Sequence, residues 1–170
     1  MGKGHVLRAR CINARCETLA RTPAFGDAFK GRRCIIPASG FYEWKKISGG
    51  KQPFAIVPND EQLFAFAGLW EGWRDKAAGG SVEWARTCAI VTGEPDELVA
   101  PIHDRMPVIL HRVAWAKWLG EEPATADELL AILKPPFPAE RMLAYPISSR
   151  INSPKYDDEG LIKEVAVGAT

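Results

Sequence analysis

Apolar positions in the first half of the chain come in short runs rather than in helical stripes. CIIP (34–37), FYEWK (41–45), PFAIV (53–57), LFAFAGLW (63–70) and VEWARTCAIVT (82–92) are rich in aromatic and β-branched residues. Ser48-Gly49-Gly50, Pro58-Asn59-Asp60 and Ala78-Gly79-Gly80 separate them, and runs of that length between turn clusters predict an antiparallel meander. In the last run Val82, Trp84, Arg86, Cys88, Ile90 and Thr92 share one face, and Ala85, Thr87, Ala89 and Val91 the other. Two largely apolar faces place that strand inside a barrel or a covered sheet. Upstream, Thr22 as cap and Pro23 in the first turn predict a short helix that ends near Gly31.

The second half turns helical. Glu94 to Ala100 reads as a short helix stopped by Pro101. Val113, Trp115, Trp118 and Leu119 form an amphipathic patch ended by Gly120, in which helical spacing makes both tryptophans core residues. Thr125 with Glu128 is a capping box that opens a helix running to Pro135-Pro136. A last strand pair is expected at 142–147 and 161–167. The fold class is therefore α+β, with an antiparallel, barrel-like sheet and flanking helices in one domain over residues 1–170.

Composition narrows the function. Of 170 residues, 46% are hydrophobic and 25% charged, which argues against disorder. Lys and Arg exceed Asp and Glu by one, so a strongly basic coat for non-specific duplex binding is excluded while a local basic groove is not. The longest apolar run, Leu63 to Trp70, is eight residues, well below the roughly 20 needed to span a bilayer. The N-terminus has no apolar segment of a secretory signal; the expectation is a soluble cytoplasmic protein with no membrane partner. Four cysteines without a CxxC and three scattered histidines give no metal-ligand spacing. Phosphate-loop, dinucleotide, zinc-protease and hydrolase motifs are absent, and no cofactor is expected.

Four places remain that could carry chemistry. Glu43, between Tyr42 and Trp44, is either a strand carboxylate facing water, the default for charged side chains, or a desolvated acid/base with a raised pKa. In PIHDRMP (101–107) two prolines bracket His103, Asp104 and Arg105; the loop either satisfies its own backbone or presents a proton carrier and a phosphate-gripping guanidinium. Asn13 and Arg15 sit in a segment whose local pattern favours a solvated turn over a ligand site. Of six tryptophans only Trp44, beside Glu43 and the Lys45-Lys46 pair, is a candidate to stack on a base.

Taken together and in order, INARCET, CIIPASGFYEWKK, FAFAGLWEGW, AIVTGEPDELVAPIHDRMPVIL and YPISSRINSPKYDDEGLI strongly resemble the SOS response-associated peptidase (SRAP) family over about residues 12–167. The resemblance implies a β-barrel-centred α+β fold that binds single-stranded DNA at abasic sites. It implies a cysteine, exposed at the N-terminus once Met is removed, whose amine and thiol trap the ring-opened abasic aldehyde as a thiazolidine. By the same resemblance Asn13 orients that amine, Glu43 is the acid/base for the proton steps, and His103 helps open the sugar ring. Arg15 and Arg105 match arginines that grip phosphates around the lesion, and Trp44 and Thr92 match residues of the DNA channel.

Family members begin Met-Cys-Gly-Arg, well upstream of the Asn-Ala-Arg motif, whereas this chain begins Met-Gly-Lys-Gly and reaches Asn13 almost at once. The expectation is a chain truncated relative to the family and lacking the nucleophile. Cys11 and Cys16 flank the motif but have no free α-amine, so neither can close a thiazolidine. Lost initial strands would leave a sheet edge open to a partner or a second copy. Three readings follow: an abasic-site processing protein of the DNA-damage response, covalent in its full-length form; a cysteine autopeptidase using Glu43 and His103; and a non-catalytic single-strand-binding module using Arg15, Arg105 and Trp44.

Overall fold

The computed structural model describes residues 11–60, 62–73 and 84–167. In chain order the described elements are β1 (Asn13–Arg15), α1 (Gly26–Gly31), β2 (Arg33–Ala38), β3 (Phe41–Ile47), β4 (Gly50–Pro58), β5 (Phe64–Trp73), β6 (Ala85–Gly93), β7 (Met106–Pro107), α2 (Trp115–Leu119), α3 (Ala126–Ile132) and β8 (Met142–Pro146). They form two sheets, one ordered β1-β6-β5-β2 with β7 joined to β6, the other β3-β4-β8. The α+β class and the mainly antiparallel pairing match the sequence reading. The single meander does not: β2 and β3 are consecutive in the chain but lie in different sheets, and β1 runs parallel to β6. Contacts divide the chain into two compact units. The first is Met1–Ile36 with Ala65–Gly93 and Pro107–Pro135; the second is Pro37–Phe64 with Glu94–Met106 and Pro136–Thr170. No described helix is long and apolar enough to cross a membrane.

The first unit is built on the buried face of its sheet. Ala14, Ala67, Leu69 and Val91 meet Phe29, Trp118, Leu129 and Leu133 from the three helices and their ends. Trp118 is fully buried, and its indole N–H donates to the Cys34 carbonyl at 2.9 Å. Arg33 joins two helix C-termini, donating to the carbonyls of Phe29 (2.7 Å) and Lys30 (2.8 Å) in α1 and of Trp118 (2.6 Å) in α2. Those carbonyls have no partner within their own helix, and a cation suits the negative end of the helix dipole. Gly120 ends α2 at φ +82°, a left-handed backbone that costs glycine little. The Thr125–Glu128 capping box forms in full, a device worth about 1 kcal/mol.

Several local expectations are corrected. The helix expected from Thr22 begins at Gly26, because the Thr22 hydroxyl donates back to Thr18 O and residues 23–25 form a turn. Glu94–Ala100 is a turn, not a helix. Asp96 accepts from the Val99 N–H at 2.8 Å, which offers the backbone an alternative to helix, and Pro101 has no N–H to continue a helical ladder. The strand expected at 161–167 is instead a 3₁₀ turn, Glu159–Ile162, capped by the Asp158 side chain and followed by one bridge between Ile147 and Glu164. Asn13–Arg15 is a strand rather than a solvated turn. The start of the 82–92 run and the turn at 78–80 lie outside the described residues.

In the second unit β3 and β4 form a hairpin over the register Phe41↔Ile56 to Ile47↔Gly50, and β8 pairs with the other edge of β4. Gly49, at φ +86°, makes the two-residue connection. Buried Ile56, Phe64, Phe137, Met142 and Ile147 are apolar residues of this unit, with Phe64 and Phe137 edge-on at 5.9 Å between centroids. Gly40 enters β3 so close to β4 that an added Cβ would lie 2.7 Å from the Ile56 carbonyl oxygen. Backbone cannot yield as a side-chain tip can. Gly40→Ala should therefore lose about 1–3 kcal/mol in denaturant unfolding, the range for forced overpacking; an unchanged midpoint would show that the hairpin can shift freely.

Candidate functional site

The second unit brings Glu43 to His103. Pairing of Glu43 with Phe54 in the hairpin directs the carboxylate to one face of β3. There its Oε2 lies 3.7 Å from His103 Nδ1, with 18% of its side chain exposed. Burial pushes the Glu43 carboxyl above its ordinary value. The positive form of His103 and the Trp44 N–H oppose that shift, and the Asp104 carboxylate adds to it. Strand alternation sends Tyr42 and Trp44 to the opposite face, so the flanking rings expected to desolvate Glu43 are not what it meets. Trp44 is half-buried there, its indole N–H donating to Asn152 Oδ1 at 2.8 Å.

His103 is held by its own loop. The Ile102 and His103 N–H groups both donate to the Val99 carbonyl, at 2.8 and 3.0 Å. Upstream the Asp96 carbonyl accepts from Ala100, and the Asp96 N–H points at Met106 Sδ, 3.4 Å away. The Arg105 N–H donates to His103 Nδ1 at 3.1 Å, and the same nitrogen lies 3.3 Å from Asp104 Oδ1. Arg105 is half-buried.

Sequence reasoning missed Asp96. It is 6% exposed, burial raises its carboxyl, and its Oδ2 has no hydrogen-bond partner among the described residues. An Asx residue heading a four-residue turn between Pro95 and Pro101 was the available signal.

In the first unit Asn13 and Arg15 stand exposed on one face of β1, while Ala14 between them is fully buried. The parallel register sets Asn13 beside Ile90, Ala14 beside buried Val91, and Arg15 beside Thr92. Asn13, Arg15 and half-buried Thr92 therefore share a face, and the Cys16 N–H donates to the Thr92 carbonyl at 2.9 Å to continue the ladder. In β6 burial alternates only over Ala89–Gly93; its start, Ala85 to Cys88, is exposed on both faces rather than covered.

Each unit thus presents a coherent group, an acid/base pair in one and an amide, a guanidinium and a hydroxyl in the other. Comparison with known proteins identifies the family. The family model described as SOS response associated peptidase (SRAP) matches residues 3–154. The abasic site processing protein YoqW of Bacillus subtilis is 43% identical over 155 residues, which is 91% of this chain and 67% of that protein. YobE, of the same description and organism, is 44% identical over 147 residues, 86% of this chain and 65% of its own. The chain thus spans about two thirds of the length of these relatives. A crystal structure of a protein from Bacteroides thetaiotaomicron superposes with a TM-score of 0.85 at 30% identity, covering 97% of this chain and 71% of that one. The chain belongs to the SOS response associated peptidase family.

Proposed function

We propose that this protein processes abasic sites in single-stranded DNA. The observation that carries the reading is the half-desolvated Glu43 carboxylate within 3.7 Å of His103, in a family whose named relatives are abasic site processing proteins. An abasic sugar is mostly a closed hemiacetal; exposing its aldehyde needs one proton delivered to the ring oxygen and one removed from the hydroxyl. Glu43 and His103 supply that exchange, Glu43 because burial keeps its proton available nearer neutrality. By the family resemblance, Asn13 would orient an N-terminal amine. Arg15 and Arg105 hold the flanking phosphates, with Thr92 beside Arg15 and Trp44 stacking on a base.

Fluorescence anisotropy with a single-stranded oligonucleotide bearing one abasic site tests the reading. The parent chain should bind it more tightly than the intact strand or the duplex; equal affinities would overturn the proposal. Arg15→Ala with Arg105→Ala should lower the slope of log affinity against log salt by about 1.4, two phosphates at about 0.7 each. An unchanged slope in the folded variant would remove the arginines from the interface.

Glu43 also makes a stability prediction. Its folded carboxyl titrates above the ordinary 4.5, so the folded chain binds that proton more tightly than the unfolded chain does. The stability this supplies is complete below about pH 4.5 and is lost as pH rises through the folded value. Glu43→Gln should therefore gain in Tm relative to the parent between about pH 4 and pH 7. A difference constant across that range would show a carboxylate that folding leaves solvated.

A further inference from the structure

The face of β3 turned away from Glu43 carries its own pattern. The hairpin register sets Lys46 directly opposite Lys51, one pair inside the Gly49 turn, and Trp44 lies two residues before Lys46 on the same face. Both lysines are exposed, and neither meets a carboxylate among the described residues. Like charges directly opposite each other destabilise a hairpin, and one glutamate at either position would relieve the repulsion. An anion seated between two ammonium groups relieves it equally well. Opposed Cβ atoms lie about 5 Å apart, so two flexible lysines can converge on one phosphate. Lys46 is about 7 Å along the strand from Trp44, within reach of the phosphate next to a base stacked there. The bond from Trp44 to Asn152 holds the indole in one orientation while leaving it half-exposed.

We propose that Lys46 and Lys51 jointly bind one backbone phosphate of single-stranded DNA, adjoining the nucleotide carried by Trp44, and so extend the DNA track beyond the lesion. This rests on the single-strand reading given above. It assigns the hairpin tip a ligand distinct from the reacting sugar, since Glu43 and the lysine pair occupy opposite faces of β3.

The test is a salt titration of binding to an abasic single strand for the parent, for Lys46→Gln with Lys51→Gln, and for Lys46→Arg with Lys51→Arg. The glutamine pair should lower the slope by about 0.7, one phosphate. Its disadvantage should then shrink about fivefold over a tenfold rise in salt. The arginine pair should keep the parent slope, and Lys30→Gln in α1, where Lys30 pairs with Asp27, should also leave it unchanged. Removal of like-charge repulsion should leave the Tm of the glutamine pair equal to or above the parent's, so weaker binding is not mistaken for unfolding. Trimming the oligonucleotide one nucleotide at a time should abolish the difference from one end only. Equal slopes in parent and glutamine pair, with the parent binding normally, would overturn the lysine site alone. A parent that binds no single strand would overturn it together with the proposed function.

Discussion

The β3–β4 register is the constraint on which the approach of Glu43 to His103 depends. Side chains alternate across a strand, so a slip of one residue would turn Glu43 away from His103 and bring Trp44 and Lys46 to its place. The turn sets the register, and two further features support the hairpin. The two-residue turn closes on the Ile47↔Gly50 pair with Gly49 at φ +86°. Gln52, buried opposite Lys45, gives its amide to the carbonyls of Pro53 and Ile147, which ties β4 to the end of β8 and fixes the strand that β3 pairs with. At Gly40 an added Cβ would run into the Ile56 carbonyl, so the close approach at the start of β3 depends on a residue without a side chain. The Gly-Phe-Tyr-Glu-Trp motif thus reads as packing at its first residue and as a partly desolvated carboxylate beside His103 at its fourth.

Much of this was legible in the sequence because it is local. Strands β2 to β6 follow from aromatic and β-branched runs between turn residues, the Thr125–Glu128 cap from spacing, and the burial of Trp118 from helical period. What escaped was set at a distance. Asn13–Arg15 shows only polar, apolar, polar over three residues; it becomes a strand because Ala14 docks beside Val91, far along the chain. Residues 161–167 alternate well enough for a strand, but Asp158 captures the Gly160 N–H and bends the segment first. For Glu43 the local pattern left water and desolvation both open. The answer lay in a loop 60 residues later, which no window over Tyr42-Glu43-Trp44 contains. Asp96 escaped for a related reason, since a short polar residue in a turn looks ordinary until its burial is known.

The two groups of polar residues differ in a way that suits different work. Asn13 and Arg15 stay exposed, carried by a buried alanine, so their hydration is given up only when a ligand arrives. A guanidinium kept in water costs the fold nothing and adds long-range attraction for an anion. Glu43 is instead partly withdrawn from solvent by the fold itself, which raises its pKa before any substrate binds. Desolvation is thus concentrated on Glu43 and left light on Asn13 and Arg15.

The bond from the Arg105 amide to His103 has a mechanical consequence. A ring nitrogen that accepts a hydrogen bond has its lone pair occupied and carries no proton. In the tautomer that keeps the 3.1 Å bond, Nδ1 is the acceptor and the proton of the neutral ring sits on Nε2. If Nδ1 gains a proton it must donate instead, towards Glu43, Asp104 or the Arg105 carbonyl 3.2 Å away. The Arg105 amide then loses its acceptor. The peptide plane that bears the Arg105 side chain is therefore tied to the tautomer of the ring, so the two cannot be set independently.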